Sequence, residues 1–303
     1  MAVVAGLLQQ CATDLASPHL IDTFKVSRDQ VYWTAYVSPV LRFYRTEPWR
    51  FCWSIAVRAR SIRIFLVRHG ESEANLDKSV NARLPDHSIE LSTEGHSQAH
   101  KVGRYLASML QEAEHVRMIV SPYTRTRQTS LAIEQALEAA HIHFDRREAV
   151  EIREIEFGLF DGMPDDDLSK SFPREYEHYE KHKRFEGEFF APMPLGESRC
   201  AVADRVKGVF GTILRDASEN RLDRVNDFIV VSHGLTIRCF RMQWMHYPWE
   251  WCEREKNPFN CSVQLIEGQE GARYTDRLIF EGFAQAKRSR QHRREEGHVG
   301  GSE

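Results

Sequence analysis

Two histidines, two arginines and one glutamate carry the chemistry that this chain has to offer. Arg68-His69-Gly70 closes a short apolar run of Ile62, Ile64, Phe65, Leu66 and Val67. Ser232-His233-Gly234 closes another, Phe228-Ile229-Val230-Val231. A lone histidine after an apolar run is most often structural, but the same grammar twice, once with an arginine in front, asks for a function. A neutral imidazole can attack phosphorus, and a guanidinium can hold phosphoryl oxygens in a bidentate fork. Arg125 falls in the first turn of an expected helix, where free N–H groups favour an anion. It shares a helix face with Thr129, while Arg127 points elsewhere. Glu154, in Ile152-Arg153-Glu154-Ile155-Glu156-Phe157-Gly158, is a candidate site carboxylate on a strand edge ahead of Gly158 and Gly162. The competing reading of each basic or acidic residue alone is solvated surface charge.

The elements expected to position these groups follow from periodicity. Both His-Gly pairs stand at the C-terminal mouths of buried strands, where open α/β sheets collect ligands. Gly70 is expected to let the main chain approach a ligand closely, since it has no Cβ. Residues 72–86 read as a loop broken by Asn75, Asn81 and Pro85. Ser92 or Thr93 then caps a helix that carries Ala99, Val102, Leu106, Met109 and Leu110 on one face and ends near Glu112. A second strand spans residues 117–120. Pro122 is placed in the first turn of the next helix, which buries Leu131, Ile133, Ala136, Leu137 and Ala140. Later come a helix carrying Ala203, Val206, Phe210, Ile213 and Leu214, a helix from Thr236 to about Trp244, and closing strands over 262–267 and 274–280.

Residues 164–196 are the least regular stretch. Phe172, Tyr176, Tyr179, Phe185, Phe189 and Phe190 alternate with Lys170, Arg174, Lys181, Lys183 and Arg184. That fits an amphipathic helix followed by a loop broken at Pro192 and Pro194. It also fits a specificity insert over the pocket, its cations turned to an anionic substrate. Asp165-Asp166-Asp167 reads as a helix cap and solvated turn rather than a magnesium site. His141-x-His143 lacks the companion ligands of a metal centre.

Composition bounds the rest. The chain has 303 residues and a formal charge of −3, which gives no field for wrapping nucleic acid. No apolar run reaches the ~18 residues of a membrane span. Six scattered cysteines with no CxxC pair suggest a reducing compartment, the cytoplasm, rather than a disulfide framework. Residues 1–60 form an N-terminal extension with three readings: a docked segment, a targeting segment, or an overlong gene model. The tail 284–303, rich in Lys, Arg and Gly, is expected to be disordered.

LVRHGESEAN, SPYTRTRQT, IREIEFG and VVSHGLTIR, in that order, resemble the histidine phosphatase superfamily, also called the phosphoglycerate mutase-like family. LSTEGHSQAHKVG and Gly196-Glu197-Ser198 fit it as well, and the likeness covers residues 61–283. NARLPDHSIELS, FFAPMPLGES and SHGLTIRCFRMQW are most similar to the fungal and plant broad-range phosphatases of that superfamily. The resemblance implies a three-layer α/β/α sandwich around a mostly parallel mixed sheet. It makes His69 the nucleophile that becomes phosphohistidine and Glu154 the proton donor to the leaving group. Arg68, Arg125 and His233 become the phosphate pocket, with Asn75 a polar neighbour of the phosphate. Gly70 and Gly234 join the expected substrate-binding set. No metal or other cofactor is implied.

The expected activity is therefore hydrolysis of a small phosphorylated substrate, with no nucleic-acid or membrane partner. A cofactor-dependent mutase is the alternative within the family. Such mutases carry Asn-Lys and Trp-Arg-Arg segments between the acid and the second histidine. This chain has GLFDGMPDDDLSK and FPREYEHYEKHKRFEG there, and Asp165–Asp167 would repel a second phosphate if they faced the pocket. The alternative from another class is a binding or regulatory module that has kept the fold and lost the chemistry.

Overall fold

Strand β1 (Ile62–Arg68) alternates its side chains between two faces, as the period-2 geometry of a strand requires. Phe65 and Val67 enter one core; Ile64 and Leu66 enter another on the opposite side. A strand buried on both faces belongs in the middle of a layered sheet. That is where the computed structural model places it. The structure describes residues 62–163, 165–218, 224–269 and 273–284; the expectations for residues 1–60 and for the tail beyond 284 lie outside the described residues.

In chain order β1 is followed by α1 (Glu73–Leu76), α2 (Thr93–Met109), β2 (Val116–Val120), α3 (Thr124–Ala139) and β3 (Phe144–Glu148). Next come α4 (Asp165–Ser171), α5 (Pro173–Glu186), α6 (Arg199–Asp216), β4 (Asp227–Ser232), α7 (Gly234–Met245), α8 (Trp249–Arg254), β5 (Val263–Gly268) and β6 (Thr275–Phe280). The strands form one six-stranded sheet in the order β3-β2-β4-β1-β5-β6. β1, β2, β3 and β4 pair in parallel, while β5 and β6 are antiparallel additions beside β1. Helices α2 and α3 cover one face through Val102, Leu106, Ile133 and Leu137. Helices α6 and α7 cover the other through Val209, Ile213, Ile237 and Phe240. The result is the three-layer α/β/α arrangement with a mostly parallel mixed sheet.

Register decides what happens at the mouth of the sheet. Val67 pairs with Val231 and Arg68 with Ser232, so His69 and His233 leave adjacent parallel strands at the same level. Val120 pairs with Val231 on the other side, which brings Ser121 to the same edge. Each fully buried Val, Leu, Ile or Phe is worth roughly 1.5–3 kcal/mol. The strands that deliver both histidines are completely buried along Ile64–Val67 and Phe228–Val231, so their ends are held by the core.

Several local expectations are corrected. Residues 72–86 contain α1 and a 3-10 turn at Lys78–Ala82 rather than plain loop. Helix α2 starts at its Ser92 cap, whose hydroxyl accepts from Gly95 N–H at 3.0 Å, but ends at Met109 rather than near Glu112. Pro122 precedes the Tyr123 cap of α3 and so lies outside its first turn. Leu131 is 54% exposed and Leu214 is 46% exposed. Both sit on the polar side of helices whose neighbouring residues, Ala132 and Ile133 or Ile213, take the buried positions.

Candidate active site

Arg68, His69, Arg125, Glu154 and His233 come from four separate places in the chain and meet at the sheet's C-terminal edge. His69 is 3% exposed and His233 fully buried. Their ring centroids stand 5.3 Å apart at an interplanar angle of 61°. The backbone N–H of His69 donates to Ser232 O at 3.0 Å, continuing the β1–β4 ladder one step past the strands. The register of two buried strands thus aims both imidazoles.

The proton positions follow from the partners. His69 Nδ1 lies 2.7 Å from Gly70 O. A carbonyl oxygen only accepts, so Nδ1 carries the hydrogen and Nε2 keeps its lone pair. Burial, then the charges of Arg125 and Arg68, hold the His69 pKa well below the ordinary imidazole value. Both effects favour the neutral ring, with the lone pair on Nε2 free. His233 Nε2 is 2.8 Å from the Ser121 hydroxyl, while its buried Nδ1 has no hydrogen-bond partner. Burial and the Arg125 charge also push the His233 pKa down.

The cations frame these rings. Arg68 donates from Nη1 to Pro258 O at 2.6 Å, and its buried Nε has no hydrogen-bond partner. Arg125, 4% exposed in the first turn of α3, donates to Asp86 O at 2.6 Å and to Asp86 Oδ2 at 3.1 Å. Its guanidinium carbon lies 5.0 Å from the centre of the Tyr123 ring, and that ring in turn stands 5.0 Å from the His233 ring. His233 Nδ1 and Arg68 Nε, buried without a hydrogen-bond partner and within electrostatic reach of Arg125, form a cradle suited to an oxyanion.

Glu154 faces the same space. Its Oε2 is 3.8 Å from His233 Nδ1, and its Oε1 accepts from Ile155 N–H at 3.1 Å. Burial raises its pKa, outweighing the lowering by Arg125, so the carboxyl holds its proton to higher pH than an exposed glutamate. It is not on a strand edge as expected: β3 ends at Glu148, and a 3-10 turn, Val150–Ile152, intervenes. The loop is fixed instead by Arg205 of α6. Arg205 donates to the carbonyls of Glu151 at 2.6 Å, Arg153 at 2.9 Å and Glu154 at 3.0 Å, and pairs with Glu197 at 2.8 Å.

The other expected binding residues play supporting parts. The missing Cβ at Gly70 makes room for α2 rather than for a ligand: a Cβ there would meet Gly95 O at 2.6 Å. Its N–H donates to Thr129 Oγ1 at 3.1 Å, and its carbonyl orients His69. Gly70 is glycine because α2 crosses against it, backbone to backbone. Asn75 accepts through Oδ1 from Ser72 N–H at 3.1 Å and from Asn260 Nδ2 at 3.2 Å, and the Asn260 amide also donates to His69 O at 3.2 Å. Gly234 begins α7 directly after the His233 cap, against Asn257. The cations Lys170, Arg174, Lys181, Lys183 and Arg184 of the 164–196 stretch do not line the cavity beside the site; their helices α4 and α5 turn most of them to solvent.

With this geometry in place, comparison with known proteins places the chain. The family model for the histidine phosphatase superfamily, branch 1, matches residues 64–279. The chain belongs to the histidine phosphatase superfamily. Phosphoglycerate mutase-like protein AT74 of Arabidopsis thaliana is 36% identical over 223 residues, covering 70% of this chain and 67% of the relative. Broad-range acid phosphatase DET1 of Saccharomyces cerevisiae is 25% identical over 311 residues, covering 73% of this chain and 90% of the relative. A solved mycobacterial glucosyl-3-phosphoglycerate phosphatase matches the fold with a TM-score of 0.54 at 18% identity, covering 74% of this chain and 100% of that one. YhfR of Bacillus stearothermophilus gives 0.54 at 20% identity, covering 73% and 97%. This histidine phosphatase fold is thus shared with structures of low sequence identity.

Sequence reasoning missed Ser121, Asp86, Tyr123, Arg205 and Asn260. Ser121 had a usable signal, since it follows β2 as His69 follows β1. Arg205 and Asn260 had none, because they act on the backbone of segments far away in sequence.

Proposed function

We propose that this protein is a phosphomonoester hydrolase that forms a phosphohistidine on His69 and acts on small phosphorylated metabolites. His69 Nε2 attacks phosphorus in line as the bond to the leaving oxygen breaks, and that oxygen takes the Glu154 proton. Arg68, Arg125 and a His233 Nδ1–H would hold the phosphoryl oxygens. Ser121, by donating its hydroxyl hydrogen to His233 Nε2, leaves the His233 hydrogen on the site-facing nitrogen. In the second half, Glu154 as carboxylate removes a proton from water; the water attacks phosphorus and the N–P bond breaks, regenerating neutral His69.

The single observation that carries this reading is the tautomer and surroundings of His69. Its Nδ1 hydrogen is bound by Gly70 O at 2.7 Å, and burial, then the charges of Arg125 and Arg68, lower its pKa and so favour the neutral ring. A structural histidine would have no need of a free nitrogen in a site that also holds two arginines and a carboxyl whose pKa is raised by burial. Hydrolysis is favoured over mutase transfer because the chain lacks the family's Asn-Lys and Trp-Arg-Arg segments, which supply contacts to a reorienting bisphosphate. The described cysteines 200, 239, 252 and 261 are free thiols, which supports a reducing, cytoplasmic setting. No described helix is long and apolar enough to cross a membrane.

Phosphate release from p-nitrophenyl phosphate, with His69→Ala as blank, tests the activity. Incubation with 3-phosphoglycerate and a trace of 2,3-bisphosphoglycerate then separates the alternatives. We expect phosphate release to exceed isomerisation. Faster isomerisation would make the protein a mutase, and no release from any phosphomonoester would leave a binding module.

A further inference from the structure

A cavity of about 280 Å³ opens on the Glu154 side of the site. Tyr123 and Asp86, which touch Arg125, form its inner wall, and Ile155 and Glu156 continue directly from Glu154. Because the proton donor faces the departing oxygen, this chamber is where a leaving group would lie; His233 Nδ1 and Arg68 Nε, buried and without hydrogen-bond partners, mark the adjoining phosphate position. The outer wall consists of two loops bound to each other. Leu159 N–H donates to Pro194 O at 2.9 Å and Glu197 N–H to Glu156 O at 2.9 Å. Gly158, at φ 57°, has no room for a Cβ beside Pro194 O. Leu195 is held at φ 57° with 85% exposure. A left-handed leucine offered to solvent at the rim costs stability and is the kind of strain that marks a functional wall.

The charge of that chamber is one-sided. Asp86, Glu156 and Asp161 line it, and His87 is the one basic side chain there; no Lys or Arg does. Glu156 is already paired with Arg153 at 2.8 Å, and Asp86 with Arg125 at 2.9 Å. Asp161 has no ion pair among the described residues. Its pKa is raised by burial first and by the Asp86 charge second, with Arg125 acting in the opposite sense. A carboxylate or second phosphate on the leaving group would meet three carboxyl groups, while the two guanidinium groups beside them, Arg125 and Arg153, are already paired with Asp86 and Glu156. Like-charge juxtaposition of this kind is a device of exclusion. Tyr123, Phe157 and Leu195 give the remaining surface an apolar, partly aromatic character.

We propose that the chamber selects phosphomonoesters whose leaving group is small and carries no second anion, with Asp161 accepting from a hydroxyl or ammonium of that group. The inference rests on the phosphatase reading and names the substrate class of that same site. It sets this chain apart from enzymes that handle phosphoglycerates, whose substrates bring a carboxylate or a second phosphate.

The test compares two esters that differ by one group: glycerol 1-phosphate, which ends in a hydroxymethyl, and 3-phosphoglycerate, which ends in a carboxylate. O-Phosphoethanolamine adds the cationic arm, and p-nitrophenyl phosphate reports whether the chemistry runs at all. We expect kcat/KM for glycerol 1-phosphate to exceed that for 3-phosphoglycerate at least about tenfold, mainly through KM. Asp161→Asn should narrow the ratio and Asp161→Lys should reverse it, with O-phosphoethanolamine losing most in the lysine variant. Equal or better turnover of 3-phosphoglycerate by the wild type would overturn the proposal. So would failure of glycerol 1-phosphate and O-phosphoethanolamine while the aryl ester is hydrolysed, or ratios unmoved by either substitution. Loss of all turnover, the aryl ester included, would instead remove the phosphatase reading and this inference with it.

Discussion

The two sides of the site are built in opposite ways. The proposed phosphate side is delivered by strand ends: His69 and His233 leave paired, fully buried strands, and Arg125 sits on the first turn of α3. The proposed leaving-group side is made of connecting segments, residues 85–87, 155–158, 161 and 195, whose walls are exposed or half-exposed apart from buried Ile155. One side is cationic and the other acidic. The difference teaches where each property is stored. On the proposed reading, reaction type rests on groups held by a buried sheet, whereas substrate choice rests on connections that can change without touching the core. Glu154 belongs to both: it is a loop residue, but Arg205 of α6 holds its backbone.

The sharpest break in that comparison is on the sheet side. His69→Ala should lower kcat on the order of 10⁴-fold or more, the scale of a lost nucleophile, with fold and Tm retained because the strands on either side stay packed. Next is Glu154→Gln, at about 10²–10⁴-fold for alkyl esters. The loss should be much smaller for p-nitrophenyl phosphate, whose leaving oxygen needs no proton. Equal losses for both esters would mean that Glu154 is not the acid. Arg205→Ala probes the link between the two sides. It touches no substrate, yet freeing the Glu151–Glu154 backbone should cost on the order of 10²-fold in kcat through misplacement of the acid. Arg205→Lys should rescue little, because one ammonium cannot span three carbonyls and Glu197.

Smaller effects refine the electrostatics. Ser121→Ala should lower kcat about tenfold, one hydrogen bond's worth, by releasing the His233 tautomer. The pH profile follows from two shifts of opposite sign. His69 must be neutral, and its depressed pKa puts the acid limb below the ordinary imidazole range. Glu154 must be protonated, and its raised pKa puts the alkaline limb above the ordinary carboxylate range. After correction for the substrate's own titration, kcat/KM for an alkyl ester should be bell-shaped with an acidic optimum. Glu154→Gln should abolish the alkaline limb alone.

The same contrast explains what was legible in the sequence. β1 and β4 announced themselves because a buried strand needs a continuous apolar run, and the histidines stood out against it. Arg125 was readable because a helix start gives arginine a reason. Pro122 was misplaced by one turn boundary, since proline suits the residues just before a helix as well as its first position. Gly70 was assigned to ligand contact when its constraint comes from Gly95, and a helix crossing cannot be seen in a linear sequence. The chamber was illegible for the same reason: Asp86, Asp161 and Leu195 lie in three unrelated loops, and no periodicity joins them. The cations of α4 and α5 are conspicuous in composition but do not line the chamber.

The central claim is that phosphate passes through His69. Rapid mixing with a small phosphomonoester, an alkaline quench that preserves phosphohistidine, and peptide mass spectrometry test it directly. Phosphate on the His69 peptide within one turnover, absent in His69→Ala and accumulating in Glu154→Gln with an aryl ester, is the predicted result. Turnover that proceeds with no phosphate on His69 at any time, or with His69→Ala as active as the wild type, would contradict it.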